Sequence, residues 1–434
     1  MQTQALPGFR DFYPADFALR DHIFGIWRSV AARYGFEEYD GPPLEPLELY
    51  TAKSGDEIVG QLYRFTDKGD REVSLRPEMT PTLARMVAAR ATDFRKPIRW
   101  FSIPQLFRYE RQQRGRLREH FQLNCDLIGE AGHLADAEIV ALAIDAVRVF
   151  GLGPSEVRVR ISDRRLLTAV LKGLELTEAQ VPLVYQVFDK LRRAPEETSV
   201  GRLLAAGISR GTVDRLLALG RARSWSELSL AGRGLDTALT EGESLRRTID
   251  ALGAMGFGEY LDLDLSIVRG LAYYTGSVFE LFDAQGELRA ICGGGRYDHL
   301  LQSLGGVDLP ALGFGMGDVV LGEILRDRGL TPPAASSIDV FLAAITQNDI
   351  PELLGLAREL RDAGFRVEYA LSPQAVGKQL NLADARKARA AIVIGPDDRA
   401  RGEVVLKDLR RKGQTAVPRA TVRERLASLI AAVA

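Results

Sequence analysis

Apolar residues recur at helical spacing near the start of the chain and in shorter, strand-like runs further on. Between 16 and 34 they lie three or four positions apart, which predicts an amphipathic helix that stops at Gly35. From 62 to 163, runs such as RWFSIPQLFRYE, HFQLNCDLIG and VRVRI predict strands, with one amphipathic helix at about 135–150 between them. Because crossover helices are few, this pattern favours an α+β fold with an antiparallel sheet.

The pattern changes twice beyond this region. From about 164 to 258 helical patterns dominate, and strand signals return at DLDLSIVRG, SVFELFD and RAICGGGR, which predicts a helical insertion within a strand-rich domain. The Pro/Ala/Ser stretch at 331–337 suits a linker, and the apolar strands and helices that alternate after it are typical of a small α/β domain. The expected domains are a strand-rich domain in two parts, a helical insertion and a C-terminal domain, at 1–163 and 261–330, 164–260, and 337–434.

Composition and charge are those of an ordinary folded protein. Of 434 residues, 46% are hydrophobic and 26% charged, which excludes disordered, collagen-like and coiled-coil classes. Lys and Arg (57) balance Asp and Glu (58), so the chain has no overall nucleic-acid signature, although a local basic patch remains compatible with this balance. Two cysteines without CxxC and four histidines without HExxH argue against a disulfide scaffold and a metal centre. The N-terminus does not resemble a signal peptide and no apolar run approaches the roughly 18 residues of a membrane span, so we expect a cytoplasmic protein without a membrane partner.

The densest chemical signal is an arginine-rich segment at 108–118, between two strand-like runs. It contains five arginines: Arg108, Arg111, Arg114, Arg116 and Arg118. Guanidinium groups suit phosphate oxygens because they offer paired donors, and a turn at Gly115 would present them from a rigid sheet. A solvated, charged hairpin is the alternative interpretation.

Four further segments bring polar side chains or glycines near predicted strands. Glu78 in LRPEMTP fits either a hydrogen bond to a ligand amine or the first turn of a helix. Tyr273 and Tyr274, which follow Arg269, suit either a polar pocket or one core and one outward position. The glycines at 293–295 permit a close backbone approach to a ligand, but they match neither a P-loop nor GxGxxG. The glycines of GFGMGDVVL fit either such access or a tight strand-to-helix junction.

Together and in this order, the motifs resemble class II aminoacyl-tRNA synthetases, specifically the histidyl-tRNA synthetase family, over essentially the whole chain. YGFEEYDGPPLEP looks like motif 1, with Pro42 at the dimer interface, FRYERQQRGRLREHFQ looks like motif 2, and GFGMGDVVL stands in the place of motif 3. VRGLAYYTGSVFE and GGGRYDHLL resemble the family's two histidine-pocket signatures. The resemblance implies an α+β class II catalytic domain with a helical insertion and a C-terminal α/β anticodon-binding domain.

The same resemblance implies the chemistry. An enzyme of this family forms histidyl-adenylate from L-histidine and ATP and then transfers histidine to the 3′ end of tRNA(His). Mg²⁺ would accompany the ATP, no residues are expected to form a separate metal site, and a homodimer is expected.

Roles for individual residues follow from the same resemblance. The catalytic residues, which would act on the α-phosphate, are Arg108 and Arg269. The residues expected to bind histidine are Glu78, Thr80, Gln122, Asp126, Tyr273, Tyr274 and Tyr297. The residues expected to bind ATP are Arg108, Glu110, Arg116, His120 and Arg269. Those expected to meet the acceptor end of the tRNA are Arg111 and Gln113.

Three positions depart from the family pattern. Val320 stands where motif 3 usually ends in an ATP-binding arginine, for which Arg326 is a candidate substitute. Asp126 stands where Glu is usual, and Ala272 where an acidic residue is common. These departures fit either a divergent active enzyme or a non-charging histidine-binding paralogue, such as the regulatory subunit of ATP phosphoribosyltransferase. Because that relative lacks the C-terminal domain, tRNA charging is the favoured interpretation, and a pure tRNA-binding module would not need the histidine-pocket residues.

Overall fold

The computed structural model describes residues 3–51, 59–191, 195–267, 274–285, 290–332 and 338–431. The chain divides into two compact units, Met1–Thr331 and Pro332–Ala434. The described α-helices of the first unit are α1 Pro14–Arg33, α2 Leu47–Thr51, α3 Thr80–Ala89, α4 His133–Arg148, α5 Arg164–Gly173, α6 Val181–Lys190, α7 Glu196–Ala205, α8 Arg210–Arg221, α9 Trp225–Ala231, α10 Asp236–Thr240, α11 Glu243–Ala254, α12 Leu300–Gly305 and α13 Asp318–Asp327. A short 3₁₀ helix follows α11, at Gly258–Tyr260.

A mixed, mostly antiparallel sheet forms the centre of this unit. Its described strands, together with those of a small three-stranded sheet, are β1 Glu37–Glu38, β2 Leu44–Pro46, β3 Arg64–Thr66, β4 Glu72–Leu75, β5 Ile98–Ser102, β6 Gln105–Phe107, β7 Glu119–Ile128, β8 Val157–Asp163, β9 Leu261–Leu263, β10 Ser277–Asp283, β11 Cys292–Arg296 and β12 Ala311–Gly317. The main sheet runs β1-β5-β7-β12-β11-β10-β8-β9, with β6 beside β7, and the small sheet runs β2-β4-β3. The pairs β1–β5 and β8–β9 are parallel and the other described pairs are antiparallel, as an α+β fold requires.

One face of the main sheet is buried against helices. Leu123 and Cys125 of β7 share a buried cluster with Trp27 of α1 and with Leu142 of α4, and each of these side chains is fully buried. Helix α4 is apolar on most of its surface because helices and the sheet surround it, which is typical of a core helix. The other face of the sheet contains the polar side chains that line the cavity described below.

Local sequence signals set the limits of several elements. Helix α1 ends at Arg33, and Gly35 follows with φ +72°, a left-handed conformation that glycine adopts readily. The predicted strand RWFSIPQLFRYE is broken at Pro104 into β5 and β6, because proline has no N–H to donate to a ladder. The helical patterns after Asp163 form α5 to α11, and strand pairing returns at β9.

The second unit has its own five-stranded sheet in the described part of the chain. Its strands and helices are β13 Val340–Ala344, α14 Ile350–Asp362, β14 Val367–Tyr369, α15 Val376–Ala385, β15 Ala390–Ile394, α16 Pro396–Ala400, β16 Glu403–Asp408, β17 Gly413–Pro418 and α17 Val422–Ala431, with 3₁₀ turns at Gln347–Asp349 and Arg419–Thr421. The order is β14-β13-β15-β16-β17, parallel among the first three strands and antiparallel beyond them. Most of the predicted linker, 333–337, lies outside the described residues, and within the described parts no helix is long and apolar enough to cross a membrane.

Candidate active site

Strand β7 presents a row of polar side chains on the open face of the sheet. Because side chains alternate along a strand, His120, Gln122, Asn124 and Asp126 all point to one face. Leu123 and Cys125, which lie between them, face the core. The strand lies between β5 and β12 near the middle of the sheet, so its neighbours hold the row in place on both sides.

Two glycines of β12 make room for this row. A Cβ at Gly313 would overlap the Asp126 carboxylate, and one at Gly315 would lie 2.6 Å from Cδ of Gln122. The glycines of GFGMGDVVL therefore let the side chains of β7 lie across the neighbouring strand. Strand β11, the neighbour of β12, also has a glycine where a side chain approaches: a Cβ at Gly295 would lie 3.1 Å from the Tyr274 ring.

A cavity of about 310 Å³ opens over these strands. Seven of the predicted residues line it together: Glu78, Thr80, Arg108, Gln122, Asp126, Tyr274 and Tyr297. Its wall also contains Asn124 and Glu280, which the sequence analysis did not select. The period-two alternation of HFQLNCD was the signal that could have identified Asn124.

Asp126 and Tyr297 form the buried polar end of this cavity. The two side chains are 4% and 2% exposed, and the Tyr297 hydroxyl donates a hydrogen bond to Asp126 Oδ1. Burial raises the pKa of Asp126 to about 7, although the hydrogen bond from Tyr297 opposes this shift. The carboxyl group can therefore exist in either protonation state near neutral pH, and it offers an acceptor when it is ionised.

Glu78 and Arg108 both line the cavity. Helix α3 begins at Thr80, so Glu78 precedes the helix and its side chain is buried against the cavity wall. Arg108 Nε donates to the carbonyl oxygen of Pro77 at 2.9 Å. This contact holds the guanidinium group beside the LRPEMTP segment, in the wall of the cavity.

A second cavity, of about 260 Å³, adjoins the first. The walls common to both are formed by Arg108, Gln122, Gly293 and Gly315. The predicted ATP residues Glu110, Arg116 and His120 line the second cavity, and Glu110 forms an ion pair with Arg116. Burial lowers the pKa of His120 to about 3, and the positive charges of Arg108 and Arg10 add to this effect, so the imidazole is neutral at physiological pH.

An ion-pair network that the sequence analysis missed holds the beginning of strand β7. Arg10 donates to Glu119 Oε1 at 2.6 Å and to Asp318 Oδ2 at 2.9 Å, and both carboxylates are buried. Asp318 also accepts from the backbone N–H of Phe121 at 2.8 Å. Arg10 thereby ties the N-terminal segment to β7 and to the first residue of α13.

The remaining predicted residues lie outside the cavities or outside the described residues. Arg111 and Gln113 are exposed in the loop before β7. Arg269 and Tyr273, and the departure at Ala272, fall within 268–273, which lies outside the described residues. Among the residues that the structure describes, no group of three His, Cys, Asp or Glu side chains could hold a metal ion.

Comparisons with known proteins agree with this geometry. Residues 8–318 match the family described as Histidyl-tRNA synthetase, and residues 339–429 match the Anticodon binding domain. The Histidine--tRNA ligase of Opitutus terrae is 45% identical over 96% of this chain and 97% of its own length. The chloroplastic/mitochondrial Histidine--tRNA ligase of Arabidopsis thaliana is 38% identical over 93% of this chain and 82% of its own length. A histidyl-tRNA synthetase from a Nostoc species superposes with a TM-score of 0.85 at 25% identity, covering 99% of each chain. The predicted fold class and enzyme class are confirmed, and the chain belongs to the histidyl-tRNA synthetase family.

Proposed function

We propose that the protein attaches L-histidine to tRNA(His) through a histidyl-adenylate intermediate. The observation that carries this proposal is the pair of adjoining cavities that share Arg108 and Gln122. One cavity ends in the buried pair Asp126 and Tyr297, of which the carboxylate can accept from an imidazole ring. The other combines glycine backbone with cationic side chains, which suits a nucleotide. A mixed anhydride of histidine and AMP would extend across the junction.

In the first step, a carboxylate oxygen of histidine attacks the α-phosphorus of ATP, and the bond to pyrophosphate breaks. Arg108 lies at the junction of the cavities, where it can neutralise charge on both the carboxylate and the α-phosphate. Arg269 is proposed as the second catalytic cation. In the second step, a ribose hydroxyl of the tRNA attacks the carbonyl carbon of the adenylate, and AMP leaves. Positioning and charge neutralisation supply most of the acceleration in such a mechanism.

Histidine would be recognised at both ends. Ionised Asp126 would accept a hydrogen bond from an imidazole N–H, while the nearby Tyr274 hydroxyl serves the other ring nitrogen. Glu78 and Thr80 would hold the amino group. Gln122 would also contact the amino acid, and Tyr273 and Tyr297 would complete the pocket. A site that satisfies both ring nitrogens rejects apolar analogues, because its buried polar groups would otherwise lose their partners.

ATP would occupy the second cavity, with Arg116 on the phosphates and neutral His120 beside the nucleotide. Glu110 is a carboxylate in this cavity, and Mg²⁺ commonly binds one or two carboxylates together with substrate phosphates, so this donor set fits the ion. When bound, Mg²⁺ would supply charge neutralisation on the phosphate oxygens.

The tRNA would contact both units. Exposed Arg111 and Gln113 would meet the acceptor end, and the C-terminal unit would bind the anticodon stem. A homodimer is proposed from the motif 1 resemblance around Pro42. The cytoplasmic location and the division of the first unit at 164–260 remain predictions.

The alternative, a non-charging histidine-binding paralogue, has less support. A Bacillus halodurans structure described as an ATP phosphoribosyltransferase regulatory subunit/histidyl-tRNA synthetase has a TM-score of 0.76, but at 24% identity this likeness concerns the fold. The anticodon-binding match at 339–429 favours a protein that binds tRNA.

Histidine-dependent ATP–pyrophosphate exchange, followed by charging of tRNA(His), tests the proposal. Exchange with histidine and not with the other amino acids is expected, and Arg108→Ala should reduce its rate by about 10²–10³-fold, because one charge-stabilising group is lost. Arg90→Ala, at an exposed position, is the matched control. Histidine binding without exchange would instead support the paralogue.

A further inference from the structure

The arginine-rich loop before β7 is bound to helix α13. Arg114 Nε lies 3.2 Å from Glu323 Oε2, and Arg114 Nη2 lies 2.6 Å from Asp327 Oδ2. The backbone N–H of Gly115 donates to Glu323 Oε1 at 3.1 Å. Three contacts from two consecutive loop residues therefore converge on two carboxylates that lie one helical turn apart.

Val320, on the same helix, forms the surface on which the loop lies. Gly115 has φ +73°, and a Cβ at this position would be 3.2 Å from Cγ2 of Val320. Val320 therefore packs against the loop backbone at Gly115, and a longer side chain directed at the loop would displace that backbone. Valine in place of the family's motif 3 arginine is therefore compatible with a loop that packs directly on helix α13.

The side chains of Arg114 and Arg116 lie on different sides of the loop turn. Gln113 and Arg116 are joined by backbone hydrogen bonds of 2.9 and 3.2 Å, so they flank a tight turn whose centre is Arg114 and Gly115. Arg114 extends to α13, whereas Arg116 lines the second cavity. A loop held at Arg114 and Gly115 leaves Arg116 little freedom to move away from that cavity.

Arg326, the other candidate for the missing motif 3 cation, lies elsewhere. It lines a separate cavity of about 270 Å³ with Arg10 and Arg20. Of the described residues that line the second cavity, the cationic ones are Arg108 and Arg116. Among the described residues, the positive charge in this cavity therefore comes from the arginine-rich segment and not from α13.

We infer that Glu323 and Asp327 are positioning residues for ATP, which hold the loop on Val320 and so keep Arg116 directed at the nucleotide. This inference rests on the proposed function. An exposed ion pair by itself contributes little, but here the same carboxylate also accepts a charge-assisted hydrogen bond from the backbone. Helix α13 thereby contributes to ATP binding through acidic side chains, although Val320 stands in place of the motif 3 arginine.

The double variant Glu323→Gln/Asp327→Asn tests the inference in the full-length protein. We expect the KM for ATP in the exchange reaction, and the Kd for ATP by calorimetry, to rise about tenfold, with the KM for histidine unchanged within about twofold. Arg114→Ala should give a smaller rise, because the Gly115 N–H can still donate to Glu323. Combining it with the double variant should add nothing to the rise of the double variant, because both ion pairs of Arg114 are already lost there. The matched control is Arg90→Ala/Asp93→Asn, another exposed ion pair of 2.8 Å.

Val320→Arg distinguishes this inference from the alternative that ATP binding is limited by the missing motif 3 arginine. The added side chain should displace Gly115 and raise the KM for ATP, whereas a lowered KM would overturn the inference. An unchanged ATP Kd and KM in the double variant, with a wild-type melting temperature, would overturn it as well. If wild-type protein showed no histidine-dependent exchange, the proposed function would fail, and the calorimetric comparison would still decide the inference.

Discussion

Replacing Asp126 by asparagine should make the protein more stable while it weakens histidine binding. The side chain is 4% exposed, and its pKa is about 7 in the folded protein against an ordinary value of 3.8. Because this folded-state pKa is raised, the folded state is penalised when the carboxyl group ionises. The penalty is absent below pH 4, grows as the pH rises to 7, and is constant above that. A difference of about three pKa units at about 1.4 kcal/mol each corresponds to about 4 kcal/mol at pH 8.

Urea denaturation at pH 4 and pH 8 measures this effect. The introduced amide can still accept from Tyr297, so the variant should match wild type at pH 4 and exceed its free energy of unfolding at pH 8. The control, Asp250→Asn at a position 64% exposed, should show no such gain. A difference that is the same at both pH values would refute the reasoning about burial.

The same variant should lose affinity for histidine. Replacing the charged acceptor of the imidazole N–H by a neutral amide should raise the KM for histidine by roughly 10–100-fold. In wild type this KM should fall as the pH rises through 7, because ionised Asp126 accepts the hydrogen bond, and in the variant this part of the pH dependence should disappear. An unchanged KM would mean that the imidazole binds elsewhere.

Three further predictions concern the framework and the tRNA. Arg10→Ala should lower the free energy of unfolding by about 3–5 kcal/mol, because it leaves the buried carboxylates of Glu119 and Asp318 without their cation. Urea denaturation would measure the loss, and a loss below about 1 kcal/mol would contradict this view. Gly313→Ala should destabilise the protein by about 1–3 kcal/mol and raise the KM for histidine, because the added methyl group displaces Asp126, and a normal KM would be inconsistent with the observed contact. The affinity for tRNA(His), measured by filter binding, should fall steeply between about 50 and 200 mM salt, and a flat dependence would exclude extensive phosphate contacts.

Much of this fold follows from local patterns. The helix α1 and the alternating strands and helices of the C-terminal unit could be predicted because each helix or strand has its own apolar periodicity. Pro104 is also a local signal: it divides the predicted strand RWFSIPQLFRYE into β5 and β6, because proline has no N–H to donate to the ladder.

The candidate site was only partly predictable. Gln122 and Asp126 were identified through a family resemblance, whereas Asn124 follows from alternation along the same strand. The contact of Arg10 with Asp318 joins residues 308 positions apart, and no local pattern encodes such a pairing. The glycines of β12 had two interpretations in the sequence, and it took the position of the β7 side chains to explain them.

The row of side chains on β7 restricts how the specificity of this protein can evolve. His120, Gln122, Asn124 and Asp126 share one face because each lies two residues from the next, which is the period of a strand. A single inserted or deleted residue within the strand would turn part of the row into the core and bring core-facing side chains such as Leu123 to the ligand. Amino-acid preference can therefore change here by substitution, whereas length variation must be confined to the loops at the ends of the strand.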